Sequence, residues 1–298
     1  MKQMKNNAML LLAAFIWGCA FVAQSVGMDY VGPFTFNSVR SIIGGIVLVP
    51  VIFFMDGLKK RSGMSNEEIT SLRGDTKTLA LGGVCCGAVL AAASTLQQFG
   101  IMFTTVGKAG FITAMYIVLV PLFRIFFGKK VRPLILLCVA VSVAGLYFLC
   151  MTESFSLGIG DLFVLLCAFV FSIHILVIDR FSPLVDGVRM SCIQFLTAGV
   201  LCAVPMLIFE RPEPGAILTA WMPILYAGVM SCGVAYTFQV LGQKNADPTV
   251  ASLLLSLESV FSVLAGWVLL GQGLKGKELF GCMLMFAAII LAQMPEKK

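Results

Sequence analysis

Ten apolar runs follow one another along the chain, separated by short polar or charged segments: Ala8–Met28, Pro33–Met55, Thr78–Met102, Thr105–Phe127, Pro133–Met151, Gly160–Ile178, Met190–Phe209, Trp221–Gln243, Pro248–Leu270 and Leu279–Met294. A helix of roughly 17 to 25 apolar residues crosses a ~30 Å hydrocarbon layer, so each run predicts one transmembrane span. The tenth is the shortest, and moving its start toward Lys275 gives it spanning length. The longest polar interval, Asp56–Lys77, holds Ser65 followed by Glu68. That is a capping-box spacing, which predicts either a short surface helix or a solvated linker.

Composition agrees with a membrane location. With 59% hydrophobic residues, 12% charged residues and a mean hydropathy of +0.97, the chain carries more apolar surface than a water-soluble globule of this size can bury. The expected fold class is therefore an all-α integral membrane protein of ten transmembrane helices. A net charge of +6 could suggest nucleic acid as a partner in a soluble domain, but here the basic residues cluster between the spans, where they orient the chain. No nucleic-acid partner is expected. With the N-terminus inside, fifteen Lys and Arg residues fall in inner loops and termini and four in outer loops. That positive-inside bias holds in both halves and places both termini in the cytoplasm. The ten cysteines all lie in apolar runs without a CxxC spacing, as small core residues do.

The two halves repeat each other. Thr95-x-Gln97-x-x-Gly100 followed by Ala109 recurs 142 positions later as Thr237-x-Gln239-x-x-Gly242 followed by Ala251. Spans one and two align with spans six and seven at an offset of 154, and the shorter counterpart of the Asp56–Lys77 interval absorbs the difference. Residues 1–152 and 157–296 are thus expected to be two five-helix repeats. Because five is odd, the second must enter the bilayer upside down, giving inverted topology.

An ionisable or amide side chain in the hydrocarbon region is costly unless it meets a cavity or a partner, which makes each one a candidate. Glu258 lies midway along span nine, where substrate and coupling-ion sites of inverted-repeat transporters occur. It reads as a proton-binding or substrate-contacting carboxyl, or as a structural partner for Arg40. Arg40, in span two, reads as a structural tie or as the contact for a charged substrate. Thr95, Gln97 and Gln98 in span three mirror Tyr236, Thr237 and Gln239 in span eight, two polar patches that can bind a solute or join helices. His174, the only histidine, reads as a packing residue or a proton relay. Thr113 and Tyr116 lie in span four upstream of Pro121, whose ring frees the carbonyl of Ile117 and predicts a kink. Gly83, Gly87 and Ala91 form a smooth face for helix packing. The chain has no phosphate-binding glycine loop, HExxH, GxSxG or metal cluster, so neither an enzyme nor a cofactor or metal is expected.

Phe15-Ile16-Trp17-Gly18, Arg40, the stretch from Gly107-Lys108-Ala109-Gly110-Phe111 to Val120-Pro121, and the stretch from Ser256-Leu257-Glu258-Ser259-Val260-Phe261 to Leu270-Gly271 together resemble the EamA-type transporters of the drug/metabolite transporter superfamily. The resemblance covers nearly the whole chain. It implies a basket-like bundle around a central cavity and export or uptake of small metabolites, often amino acids, by alternating access. Ser259 stands where proline is common, so the resemblance carries no kink in span nine; Gln272 stands where an acid is common. The resulting expectation is a secondary transporter in the inner or plasma membrane of a prokaryote, with lipid and a small-molecule substrate as partners and protons as candidate coupling ion. Trp17, Thr95, Gln97, Gln98, Thr113, Tyr116, His174, Tyr236, Gln239 and Glu258 are its expected cavity residues. A channel, or a membrane-embedded receptor or enzyme, is the alternative.

Overall fold

A computed structural model describes residues 2–104, 106–150, 158–244, 246–270 and 276–292. Gln272 and Lys275 lie outside them. The described residues are helical, with no strand among them. In chain order the helices are α1 Lys2–Gly27, α2 Pro33–Arg61, α3 Asn66–Leu72, α4 Thr76–Ile101, α5 Val106–Thr113, α6 Tyr116–Phe126, α7 Pro133–Cys150, α8 Ile159–Phe181 and α9 Gly187–Pro205. They continue as α10 Pro214–Thr219, α11 Trp221–Leu225, α12 Tyr236–Gln243, α13 Pro248–Leu255, α14 Glu258–Leu270 and α15 Gly276–Ala292. Wider π-helical turns extend α9 over Met206–Glu210 and join α11 to α12 over Tyr226–Ala235.

Eight helical segments among the described residues are long and apolar enough to cross a membrane, and Pro133–Phe148 and Leu279–Ala292 form shorter apolar helices. Proline opens α2, α7 and α13, where its missing N–H costs nothing and its fixed φ suits the first turn. Span four is interrupted at Ala114-Met115 and span nine at Ser256-Leu257. Pro121, where a kink is expected, lies inside α6, and the interruption of span four falls upstream of it. Span nine is broken even though Ser259 replaces the common proline. Serine hydroxyls that bond back to carbonyls three residues earlier loosen it there, Ser256 to Leu253 and Ser252 to Thr249, each at 2.8 Å.

The halves interlock. Helix α4 lies against both α8 and α9, α2 lies against α9, and α1 packs on α14 and α12. Small residues allow the approach: a Cβ on Gly87 of α4 would stand 2.5 Å from the Gln194 carbonyl oxygen of α9. At one end of the bundle the Glu210 carboxylate accepts hydrogen bonds from the Phe34 and Thr35 amides at 2.9 and 2.7 Å, capping α2 from outside the helix. The negative charge suits the positive end of the α2 dipole.

The opposite end is tied by ions. Asp56, at the end of the second apolar run, takes Arg189 Nη2 at 2.5 Å and Arg73 Nη2 at 3.1 Å, and Lys59 bridges to Asp186 at 3.5 Å. The interval that follows holds the capped helix α3: Ser65 Oγ accepts from the Glu68 amide at 3.1 Å, and Glu68 Oε2 accepts from the Ser65 amide at 2.7 Å. Further on, the exposed Asp75 carboxyl caps α4, and the Thr78 amide and hydroxyl hold it below the usual carboxylate range. Asp56→Ala leaves Arg189 and Arg73 without their shared anion, and Lys59, 3.9 Å from Asp56, with Asp186 alone. Because these groups are partly exposed, the expected cost is about 1–2 kcal/mol, a thermal shift of a few degrees that shrinks in high salt. Thermal unfolding of the purified variant at low and high ionic strength checks both parts.

Candidate functional site

The two helix interruptions meet at the centre of the bundle. Tyr116 is the first residue of α6 and Glu258 the first of α14, and they are 142 positions apart, the offset of the repeated Thr-x-Gln-x-x-Gly segment. The Tyr116 hydroxyl donates to Glu258 Oε1 at 3.0 Å, and both side chains are buried. The backbone bonds around the breaks repeat as well. Ile117 N reaches Ala114 O and Ser259 N reaches Ser256 O, each a tight one-turn bond in the register of its own half. Ser259 Oγ donates to Gly110 O at 3.0 Å and pins the two broken spans together.

A cavity with about 460 Å³ of atom-free space, continuous with the outside, opens beside this bond. Helix α1 contributes Trp17, Phe21 and Gln24; α2 contributes Arg40; α4 contributes Gln97; and the broken spans contribute Thr113, Tyr116, Leu255 and Glu258. Phe171 and Ile175 come from α8, Ser231 from the π-helical stretch, and Tyr236 and Gln239 from α12. Mostly apolar walls with a few convergent polar groups are the usual make-up of a ligand site.

The polar lining is partly engaged and partly free. Gln97 Nε2 donates to Thr113 Oγ1 at 3.3 Å, which fixes the end of α5 against α4. The Trp17 and Tyr236 rings are tilted against each other with centroids 4.5 Å apart. Trp17 Nε1, Gln24 Oε1 and Gln239 Oε1 are buried without a hydrogen-bond partner. Arg40 is 5% exposed, its Nε is likewise unpartnered, and its guanidinium stands 5.4 Å from the Phe36 ring centroid. Among the described residues no carboxylate pairs with it, Glu258 included. The structural tie between Glu258 and Arg40 that the sequence allows is thus absent, and Glu258 is held by Tyr116 instead.

Three of the ten expected cavity residues stand elsewhere, and Thr237, which shares the polar patch of Tyr236 and Gln239, is likewise absent from the lining. Thr95 Oγ1 lies 3.7 Å from Cys202 Sγ, toward α9. Gln98 Nε2 donates to the Gln24 carbonyl at 3.1 Å, joining α4 to α1. His174 is fully buried, with Nε2 3.2 Å from Gln194 Oε1, and stands behind the cavity with its ring 6.0 Å from that of Tyr236. A one-residue step on a helix turns a side chain by about 100°, so Gln97 faces the cavity and Gln98 does not. The sequence reading also passed over Gln24 and Ser231. Gln24 carries the signal that picked out Gln97, an amide inside an apolar run; a serine in such a run is too common to stand out.

Comparisons with known proteins bear on what such a cavity serves. A family model described as the EamA-like transporter family matches the chain twice, over residues 4–151 and 158–294. An uncharacterized transporter of Archaeoglobus fulgidus is 27% identical over 298 residues, covering 98% of this chain and 87% of that one. The uncharacterized transporter YoaV of Bacillus subtilis is 23% identical over 294 residues, with coverages of 95% and 94%. A protein of known crystal structure superposes with a TM-score of 0.76 at 19% identity, covering 97% of this chain and 96% of the other, a likeness of fold alone.

Proposed function

Since this chain belongs to the EamA-like transporter family and is a multi-pass membrane transporter, we propose that it is a secondary active carrier. It moves small metabolites, amino acids or related compounds among them, by alternating access. Ten spans arranged as two five-helix repeats, residues 1–152 and 157–296, form the carrier, with the second repeat inverted and both termini on the cytoplasmic side of a prokaryotic inner or plasma membrane. The observation that carries this reading is the pair of spans interrupted 142 residues apart beside one cavity. Interrupted helices in corresponding positions of two halves are where inverted-repeat transporters hold substrate and coupling ion.

Substrate enters between the halves, contacts the residues that line the cavity, and shifts the balance between outward-open and inward-open states through its different fit to each. Among the described residues Glu258 is the only carboxyl in the lining. It takes up and releases the coupling proton, and its bond to Tyr116 ties that event to the junction of the broken spans. Reconstituted in proteoliposomes, the protein is expected to catalyse saturable counterflow of radiolabelled small metabolites. Conductance in planar bilayers far above the turnover of a carrier would refute alternating access in favour of a channel.

The inner end of the cavity carries a latch in this reading. Arg124, near the end of α6, donates to Asp247 Oδ2 at 2.5 Å and to Thr249 Oγ1 at 3.1 Å, clasping the start of α13. At the 142-residue offset these positions correspond to Gly266 and Thr105, which cannot form an ion pair. The latch is therefore one-sided. A partly exposed pair contributes roughly 0.2–1 kcal/mol, so Arg124→Ala is expected to raise the inward-open population about 1.4- to fivefold. Distances between spin labels at the inner ends of spans four and nine report that change.

A further inference from the structure

We propose that Arg40 is the docking point for a single negative charge on the transported solute, and that this charge is a carboxylate on a small apolar or aromatic body. The inference rests on the carrier reading above and adds the charge class of what is carried. A guanidinium presents five donors in a planar fork and does not shed its charge on burial as an ammonium does. That of Arg40 is 5% exposed, on the wall of the cavity, with Nε buried and unpartnered and no ion pair among the described residues. Its contact with the face of Phe36, at 5.4 Å, offsets only a small part of the cost of taking a full charge out of water. A buried cation left in that condition by its own protein is completed by something that enters the cavity.

The remaining lining narrows the class. Glu258 is held by the Tyr116 hydroxyl at 3.0 Å and does not neutralise Arg40. Among the described residues no second Lys or Arg lines the cavity, so a dianionic phosphate ester would arrive under-neutralised there, whereas one carboxylate matches one guanidinium in charge and, through paired N–H···O bonds, in shape. Trp17, Phe21, Phe171 and Tyr236 supply apolar surface for the body of the solute. Trp17 Nε1 is an unused donor, and the Gln24 and Gln239 oxygens are unused acceptors, for whatever further polar groups it carries. In the second half the position aligned with Arg40 is Gln194, whose amide bonds His174 and does not line the cavity. The anion-docking wall belongs to one half only.

The test uses the purified full-length protein and three matched probe pairs: phenylacetate, cinnamate and isovalerate, each against its primary carboxamide. At least one carboxylate is expected to raise the midpoint of thermal unfolding in a saturable way, and to bind about tenfold or more tightly than its amide, which lacks the charge at nearly the same shape. Arg40→Gln is expected to erase the preference, so that acid and amide bind alike, and Arg40→Lys to keep part of it. Amides binding wild type as well as the acids, no binding by any acid, or an undiminished preference in Arg40→Gln would overturn the proposal. The wild-type comparison decides even where a variant fails to fold. Counterflow of the bound acid in proteoliposomes separates the two claims: binding with preference but without counterflow overturns the carrier reading and leaves the anion site standing.

Discussion

Glu258→Gln is expected to abolish accumulation driven by a pH gradient while leaving the protein folded and able to equilibrate its substrate. Glutamine keeps the volume of the side chain and an oxygen that can accept the Tyr116 hydroxyl now bonded at 3.0 Å. What it removes is the exchangeable proton. Among the described residues Glu258 is the only carboxyl lining the cavity, so none of the others there takes over the role. One proton moved down a gradient of one pH unit supplies about 1.36 kcal/mol, enough for up to tenfold accumulation. In proteoliposomes the wild type should approach that ratio with a transported substrate, and the variant should stop at equal concentrations on both sides. A thermal midpoint close to wild type would show that the loss is in coupling rather than folding. A variant that still accumulates substrate to the wild-type ratio removes Glu258 from the mechanism.

Gly18→Leu is expected to have the largest effect on stability. A Cβ at residue 18 would collide with the Phe261 Cβ, and it would lie 2.7 Å from the Phe261 backbone carbon and 2.8 Å from the Ser262 amide nitrogen. Backbone atoms cannot rotate out of the way, so α1 must move off α14. The damage spreads to the cavity because Trp17 is the neighbouring residue and Glu258 lies one turn before Phe261. It also opens the edge-to-face contact of Phe15 and Phe261, whose centroids are 5.3 Å apart. Overpacking of this kind costs about 1–3 kcal/mol for one added methyl group and more for a leucine. Gly57 of α2, where an added Cβ meets nothing within 4 Å, is the matched control and should tolerate alanine without loss. Yield of monodisperse protein and the thermal midpoint compare the two. A wild-type midpoint for Gly18→Leu would mean that α1 and α14 are not held at this distance.

The apolar helices were legible, eight of them among the described residues at spanning length, because burial in lipid demands long apolar runs and because Pro33, Pro133 and Pro248 mark helix starts on local grounds alone. The capping box at Ser65 and Glu68 was legible for the same reason: its bonds are local. The interruptions of spans four and nine were not. Neither Ala114-Met115 nor Ser256-Leu257 contains glycine or proline, whereas α6 continues through Pro121. Contacts between the spans hold the breaks in place, Ser259 Oγ on the Gly110 carbonyl and Tyr116 on Glu258, and in span nine the back-bonding of Ser252 and Ser256 adds a local cause. The spaced serines 252, 256, 259 and 262 were their trace in the sequence. For the cavity, residue type marked the candidates but helix rotation decided among them. Gln97 and Gln98 are chemically identical, yet one lines the cavity and the other bonds the Gln24 backbone.

Whether the two halves pivot about this cavity is tested most directly by distance distributions between spin-label pairs in lipid nanodiscs. One pair, on Phe127 and Val250, reports the inner ends of spans four and nine; the other, on Phe103 just before span four and Val268 near the end of span nine, reports their outer ends. With a bound substrate, and again in the Arg124→Ala variant, each pair should show two distances whose populations shift in opposite directions, the inner end opening as the outer end closes. A single unchanging distance at both ends, or opening at both ends together, would contradict alternating access.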